Sequence, residues 1–171
     1  DGDQDLFVAN DRTPNQLYRN DGGAFADVAL WAGVAYNEAG NESGAMAVDF
    51  GDYDNDGDVD IFISDSASPR CTLLRNNGGN GRNFLTLLAQ GTVSNRDGIG
   101  ASVRVVAGDL VQTRQIRRSY GYMGSNDVRL HVGLGSATLA DSVIVLWPSG
   151  KRQTMTTIAA NQQVLLQEPS P

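Results

Sequence analysis

One nine-residue loop, residues 52–60, constrains the fold of this chain more than any other stretch. Four aspartates, Asp52, Asp54, Asp56 and Asp60, occupy loop positions 1, 3, 5 and 9. Gly57 occupies position 6, and the backbone carbonyl of Asp58 is free at position 7. A Ca²⁺ ion takes six to eight oxygen ligands, and alternate residues of a tightly curled loop can all turn toward it. Carboxylates crowded this closely would repel one another without a cation. The spacing therefore predicts a calcium site.

The residues around the loop indicate that it joins two strands. An EF-hand loop ends in a bidentate glutamate at position 12, but this chain has Ile63 there. The apolar stretches 45–50 and 61–64 flank the loop and are expected to be strands. Two other interpretations stay open: a solvated acidic turn, because Asp and Gly are common turn residues, and a Mg²⁺ site that assists hydrolysis.

The N-terminus carries a shortened second copy of the loop. Residues 1–9 align with residues 56–64 at an offset of 55, and residues 16–23 align with residues 72–79 at an offset of 56. A repeat of this period and strand content is typical of propeller blades or a related β array. Since the first copy starts inside the loop, we expect that this chain was cut or processed from a longer parent.

The second half of the chain has a different character. Period-two alternation and turn sequences predict antiparallel strands at 84–88, 101–106, 110–116, 128–132, 143–147 and 163–166. A strand at 24–28 and a helical turn after it are expected in the first half. The predicted fold class is all-β, with partial propeller-like calcium-loop repeats in residues 1–80 and an antiparallel β-sandwich or small barrel in residues 81–171.

Charge and composition exclude several classes of protein. Residues 1–65 hold 15 acidic and 2 basic side chains, and residues 66–171 hold 5 acidic and 11 basic. The arginines of the second half are scattered without interleaved aromatics, so no nucleic-acid partner is predicted. No apolar run approaches the roughly 18 residues of a membrane span, so no membrane insertion is expected. Cys71 is the single cysteine, which rules out an intrachain disulfide.

The sequence offers little to build a catalytic site. His131 is the only histidine, so a zinc site or a Ser-His-Asp triad lacks its parts, and we interpret His131 as a packed structural residue. Residues 98–100 and 133–135 imitate the start of a dinucleotide-binding fingerprint, but the third glycine and the βαβ pattern are missing, which favours tight turns. No pair of carboxylates stands out as a glycosidase pair. We therefore predict that the protein is not an enzyme.

The 52–60 loop and its half copy resemble the FG-GAP or VCBS repeat, the calcium-loop blade of integrin-type β-propellers. The segments Leu-Tyr-Arg-Asn-Asp-Gly-Gly at 17–23 and Leu-Leu-Arg-Asn-Asn-Gly-Gly at 73–79 are similar to that family too. The resemblance implies that calcium is held by the side chains of Asp52, Asp54, Asp56 and Asp60 and by the carbonyl of Asp58. The N-terminal copy retains only Asp1, Asp3 (through its carbonyl) and Asp5.

Four further motifs resemble an ASPIC/UnbV domain, the module that follows such repeats in cartilage-acidic-protein-like secreted proteins. They lie in order at residues 94–101, 121–123, 131–135 and 145–150. Together, the two resemblances imply a secreted or cell-surface β protein with bound calcium. They imply no reaction.

The sequence thus predicts a non-enzymatic, extracellular, calcium-binding structural or adhesion module. An incomplete blade exposes strand edges, and an acidic half can meet a basic half, so we expect a protein partner or head-to-tail self-association through open β edges into a larger assembly or filament. Two alternatives are a carbohydrate-binding module that stacks a glycan on Trp147 or Tyr122, and a metal-dependent hydrolase whose turnover is lost in Asp54→Ala.

Overall fold

The structure, a computed structural model, describes residues 4–54, 58–66, 71–77, 81–122 and 124–170. Within these ranges all regular secondary structure is β-strand, so the predicted all-β fold class is confirmed. The described residues form two compact units. The repeat unit lies within residues 3–78 and 119–126, and the C-terminal unit lies within residues 79–118 and 127–171.

Two three-stranded antiparallel sheets build the repeat unit. The first has the order β1-β2-β3 and the second β4-β5-β6, with strands β1 (Leu6–Val8), β2 (Gln16–Asp21), β3 (Ala24–Asp27), β4 (Ala45–Gly51), β5 (Asp60–Asp65) and β6 (Thr72–Leu74). The strands expected at 24–28, 45–50 and 61–64 are present to within one residue at each end. The expected helical turn after β3 is also present, because Ala32 N donates to Val28 O at 2.9 Å.

The strand register confirms the sequence repeat. In the first sheet Phe7 lies opposite Leu17, and in the second Phe62 lies opposite Leu73. These are the residues that the offsets of 55 and 56 align. The two sheets are therefore built on the same strand pair, β1-β2 in one and β5-β6 in the other.

A small apolar core lies between these two sheets. Its buried members are Phe7, Ala29, Val34, Ala35, Ala45 and Ile63. The ring of Phe7 meets the ring of Phe50 edge to face, with centroids 6.3 Å apart, a favoured arrangement of aromatic pairs. The first sheet thus packs one of its faces against the second.

The C-terminal unit contains two sheets around a larger core. Their strand orders are β10-β7-β13 and β12-β11-β8-β9, with strands β7 (Asn83–Gln90), β8 (Ser102–Ala107), β9 (Leu110–Gln115), β10 (Leu130–Gly135), β11 (Leu139–Leu146), β12 (Arg152–Ala159) and β13 (Gln162–Gln167). One continuous cluster includes Leu85 and Leu166 of the first sheet and Val103, Val143 and Trp147 on the side of the second. Alternate residues of both sheets therefore face one core, as in a sandwich.

Three features of this unit differ from the sequence-based expectation. Strand β12 was not predicted, because its sequence is polar, with Ile158 its one buried residue, and Thr157 has a positive φ of 54° that interrupts the alternation. Strand β13 pairs with β7 in parallel, a long-range pairing that strand patterns do not specify. Residues 98–100 form the predicted turn, but Gly133 lies inside β10, where the register shifts before Gly135.

Candidate metal centre

The candidate centre is the connection between β4 and β5. Gly51, the last residue of β4, lies opposite Asp60, the first residue of β5. The two strands therefore form a hairpin, and residues 55–57 of its connection lie outside the described ranges. The two ends of the predicted ligand set are thereby brought together by the sheet itself.

Three of the predicted ligands converge. One carboxylate oxygen from each of Asp52, Asp54 and Asp60 lies within 4.8 Å of the other two. Asp52 and Asp54 are half-buried, and Asp60 is only 1% exposed. A cation placed among these oxygens would contact all three, since calcium–oxygen distances are about 2.3–2.6 Å.

Asp60 also fastens the loop to the sheet. Its Oδ1 accepts a hydrogen bond from Asn76 N at 2.8 Å, and its Oδ2 accepts one from Tyr53 N at 3.0 Å. Each carboxylate oxygen has a second lone pair, so both remain able to bind a cation. Asp60 therefore links three segments: the loop, β5 and the chain after β6.

Asp54 has the least satisfied carboxylate of the three. Both of its oxygens are buried, and neither accepts a hydrogen bond from the residues that the structure describes. Its Oδ2 forms an ion pair with Arg75 Nη2 at 2.5 Å. A buried carboxylate oxygen without a hydrogen-bond donor is costly unless a cation lies beside it. The donor set of hard oxygens, with Asp54 Oδ1 unpartnered among the described residues, fits a Ca²⁺ ion.

The other predicted ligands fall into two groups. Asp56, Asp1 and Asp3 lie outside the described residues. Asp58 is half-buried and lies outside the three-carboxylate group, so its predicted carbonyl contact stays a prediction.

Asp5 of the first repeat makes one of the two backbone hydrogen bonds that Asp60 makes in the second. Its Oδ1 accepts a hydrogen bond from Asn20 N at 2.9 Å, which matches the bond from Asn76 to Asp60. Asp5 is exposed, whereas Asp60 is buried. The position-9 aspartate thus accepts a hydrogen bond from the equivalent backbone amide in both repeats.

Arg75 is a residue of the site that the sequence did not reveal. Its counterpart Arg19 pairs with Asp21, two residues ahead, with 2.8 Å between Nη2 and Oδ2. The hydrogen bond to Asp21 and the charge of its carboxylate raise the pKa of Arg19. Asn77 replaces that aspartate in the second repeat, and Arg75 pairs with Asp54 instead. The Asp-to-Asn difference was visible in the sequence, but the new partner was not.

Asn126 is a second unforeseen residue of the repeat unit. Its Nδ2 donates to Val48 O at 2.7 Å and to Asp49 Oδ1 at 2.9 Å, and its Oδ1 accepts from Tyr120 N at 3.0 Å. The segment 119–126 is thereby attached to β4, an edge strand of the second sheet. In the sequence, Asn126 and Asp127 form only a pair that is typical of turns.

Glu168 occupies the most complete carboxylate site of the C-terminal unit. Its Oε2 accepts hydrogen bonds from the backbone amides of Thr92, Val93 and Ser94, and its Oε1 accepts them from the hydroxyls of Ser94 and Ser149. Burial alone would raise the pKa of Glu168, but these hydrogen bonds outweigh it and hold the pKa well below its usual range. The carboxylate is fully satisfied from within the chain, so we interpret it as structural.

The two predicted sugar-stacking residues differ in exposure. Trp147 is buried in the core, and its Nε1 donates to Gln153 Oε1 at 3.3 Å, so it cannot stack on a glycan. Tyr122 is exposed. The lone His131 stacks on the ring of Phe84 with centroids 4.9 Å apart, in agreement with its structural interpretation.

Comparison with known protein families gives one match in each part of the chain. Residues 1–63 match the model of the FG-GAP-like repeat, and residues 91–171 match the model named ASPIC and UnbV. The architecture predicted from the sequence, the first family followed by the second, is thus confirmed. No curated protein matches this sequence.

The two families suggest a β-propeller-like extracellular module and are typically non-catalytic. FG-GAP repeats commonly bind calcium and occur in extracellular proteins. Among the described residues, no helix has the length and apolar character needed to cross a membrane.

Proposed function

We propose that this chain, an FG-GAP-like repeat followed by an ASPIC and UnbV domain, is a non-catalytic extracellular module whose repeat unit is stiffened by calcium bound in the loop 52–60. The observation that carries the proposal is the buried carboxylate of Asp54, which lies beside Asp52 and Asp60 and accepts no hydrogen bond from the described residues. A structural or adhesive role outside the cell, on a secreted or surface protein, is supported by the occurrence of FG-GAP repeats in extracellular proteins.

Each residue of the site has a distinct part in this role. Asp52 and Asp60 would hold the cation at the two ends of the hairpin, and Asp54 would hold it from the loop. Calcium supplies positive charge that removes the mutual repulsion of the three carboxylates. Asp60 also accepts hydrogen bonds from the backbone amides of Tyr53 and Asn76. A cation that fixes Asp60 would therefore also fix the start of the chain that follows β6.

A calcium titration of thermal stability tests the proposal. The melting temperature should rise with Ca²⁺ and return to its starting value in EDTA, because a ligand at a hundred times its dissociation constant stabilises the native state by about 2.7 kcal/mol. Asp54→Asn should abolish the rise. Asp11→Asn, which removes the same charge from an exposed position of the repeat unit, is the matched control and should retain it. An unchanged response in Asp54→Asn would refute the site.

Carbohydrate binding remains a second candidate, at a different place from Trp147. Trp31 is 91% exposed and lines an open cleft of about 610 Å³ in the repeat unit with Tyr36, Gln16 and Asp27. An exposed ring can stack on the apolar C–H face of a sugar while amide and carboxylate groups bind its hydroxyls. A glycan array with the parent and with Trp31→Ala tests this. Binding that survives the substitution would exclude the cleft.

A further inference from the structure

Five hydrogen-bond donors from two separate segments converge on the carboxylate of Glu168. Three successive backbone amides, those of Thr92, Val93 and Ser94, lie 2.7–2.8 Å from Oε2. The hydroxyls of Ser94 and Ser149 lie 2.9 and 2.5 Å from Oε1. Successive amides that point into one concavity form a nest, an arrangement that binds anions. One carboxylate oxygen is therefore held by the nest and the other by the two hydroxyls.

The two hydroxyls are oriented to donate. Ser94 Oγ accepts a hydrogen bond from Ser149 N at 3.1 Å, and Ser149 Oγ accepts a longer one from Lys151 N at 3.4 Å. Because these backbone amides occupy lone pairs of the hydroxyl oxygens, each hydroxyl hydrogen remains to bind the carboxylate. Positive charge lies beside the next residue, since Lys151 Nζ donates to Pro169 O at 2.8 Å. Donors and positive charge match an anion better than a neutral group.

The loop that carries the three amides is closed without the help of Glu168. Gly91 N donates to Arg96 O at 2.9 Å. The side chain of Asn95 makes two hydrogen bonds to the backbone of Ile99, both at 2.8 Å. We therefore expect the three amides to keep their direction when the side chain of Glu168 is removed.

Two of the motifs that resemble the ASPIC/UnbV domain meet at this site. Ser94 opens the motif at residues 94–101, and Ser149 lies in the motif at residues 145–150. The proposed calcium site gives neither motif a role. Ser149 is exposed and Ser94 is half-buried, whereas Glu168 is 1% exposed. The carboxylate thus lies just beneath surface residues, within reach of a small ion from solvent.

From this geometry we propose that Thr92, Val93, Ser94 and Ser149 form a carboxylate receptor, and that Glu168 is the ligand bound in it. The receptor binds a free carboxylate when the Glu168 side chain is removed, because five donors are then left without their acceptor. Formate is the ligand that fits. It keeps the carboxylate carbon and both oxygens, and it needs no room for the Cβ and Cγ of the missing side chain. The receptor belongs to the C-terminal unit and needs no calcium, so it is separate from the proposed metal site.

Thermal melts of the full chain with Glu168→Gly test the proposal. At pH 7 in EDTA, sodium formate should raise the melting temperature of this variant in a saturable way, because a ligand stabilises the state that binds it. Sodium chloride at the same ionic strength should not. The parent and Glu168→Gln are the controls. A side chain already fills the receptor in both, so neither should show saturable stabilisation by formate.

Removal of one donor shows where the formate binds. Glu168→Gly/Ser149→Ala should bind formate at least about tenfold more weakly than Glu168→Gly, since a hydrogen bond to a charged group is lost. Glu168→Gly/Ser102→Ala is the matched control. It removes the hydroxyl of a half-buried serine of β8 and should bind formate as tightly as Glu168→Gly.

Other outcomes overturn the proposal. A folded Glu168→Gly chain that formate and chloride affect alike would show that water, not an anion, fills the site. Equal formate affinity with and without the Ser149 hydroxyl would place the ion elsewhere. If Glu168→Gly has no melting transition in chloride, refolding in formate decides instead. A transition that only formate restores supports the receptor, and a chain that folds in neither salt refutes it.

Discussion

Arg75 and Asp54 form an ion pair at the edge of the candidate metal centre, with 2.5 Å between Nη2 and Oδ2. The guanidinium therefore lies beside an oxygen that a cation would also use. Arg75 partly neutralises the carboxylates when no cation is bound, and it opposes a cation that enters. We expect the calcium affinity of the site to be set by this competition.

Replacing Arg75 should tighten calcium binding. The arginine side chain is about half exposed, and exposed ion pairs contribute up to about 1 kcal/mol, so Arg75→Gln should lower the calcium dissociation constant by up to about fivefold. Isothermal titration calorimetry measures the change. Arg19→Gln, which breaks the equivalent arginine's pair with Asp21, is the control and should leave the constant unchanged. Weaker binding in Arg75→Gln would show that the arginine supports the site.

Asp60 should stabilise the fold even without calcium. Asp60→Asn keeps one oxygen acceptor but places an amide NH₂ against a backbone N–H, so we expect a loss of about 1–3 kcal/mol in the free energy of unfolding. Urea denaturation in EDTA provides the measurement. Asp5→Asn alters the exposed counterpart and should cost clearly less. Equal losses would mean that burial of Asp60 adds nothing.

Glu168 should make stability depend on acid pH. The folded chain holds the pKa of Glu168 well below the ordinary value of about 4.5, so its contribution is fully present above that value and is lost as the pH falls toward the folded pKa. Glu168→Gln should therefore melt at a lower temperature than the parent at pH 7, and the difference should narrow below about pH 4. A difference that is the same at pH 7 and pH 3 would contradict the role of the charge.

Gly98 should be intolerant of any side chain. Its φ is 63°, and an added Cβ would lie 2.6 Å from Ala89 Cβ and 3.2 Å from the ring of Trp147. Gly98→Ala should destabilise the C-terminal unit by about 1–3 kcal/mol through overpacking, in addition to backbone strain. Gly108→Ala isolates the strain, because Gly108 has a φ of 58° with nothing within 4 Å of an added Cβ. Similar melting temperatures for the two variants would exclude the packing effect.

Local patterns predicted much of this molecule. Alternation located the strands on both sides of the loop, and the spacing of Asp52, Asp54 and Asp60 predicted that their carboxylates would converge, because a hairpin loop is defined by residues close in sequence. The repeat alignment predicted which strand pairs would be equivalent. Each of these inferences depends on contacts between neighbours along the chain.

The features that were missed depend on distant contacts or on local exceptions. The contact of Arg75 with Asp54 and that of Asn126 with Val48 join segments far apart in sequence, as does the parallel pairing of β13 with β7. Strand β12 was missed for a local reason: Thr157, with its positive φ, interrupts the alternation that would have revealed it. Trp147 is buried and Trp31 is exposed, and nothing in the sequence distinguishes a core tryptophan from an exposed one.

The attachment of Asn126 to β4 has a consequence for synthesis. Translation supplies residues 3–78 first, but the amide that binds Val48 O comes from residue 126. At about 5–20 residues per second, a ribosome takes roughly 2–10 s to add the intervening segment. During that interval the second sheet lacks the hydrogen bonds from Asn126, and its edge strand β4 is accessible to other nascent chains. Residues 3–78 must therefore wait until residues 79–118 of the C-terminal unit have been made before residue 126 can complete the repeat unit.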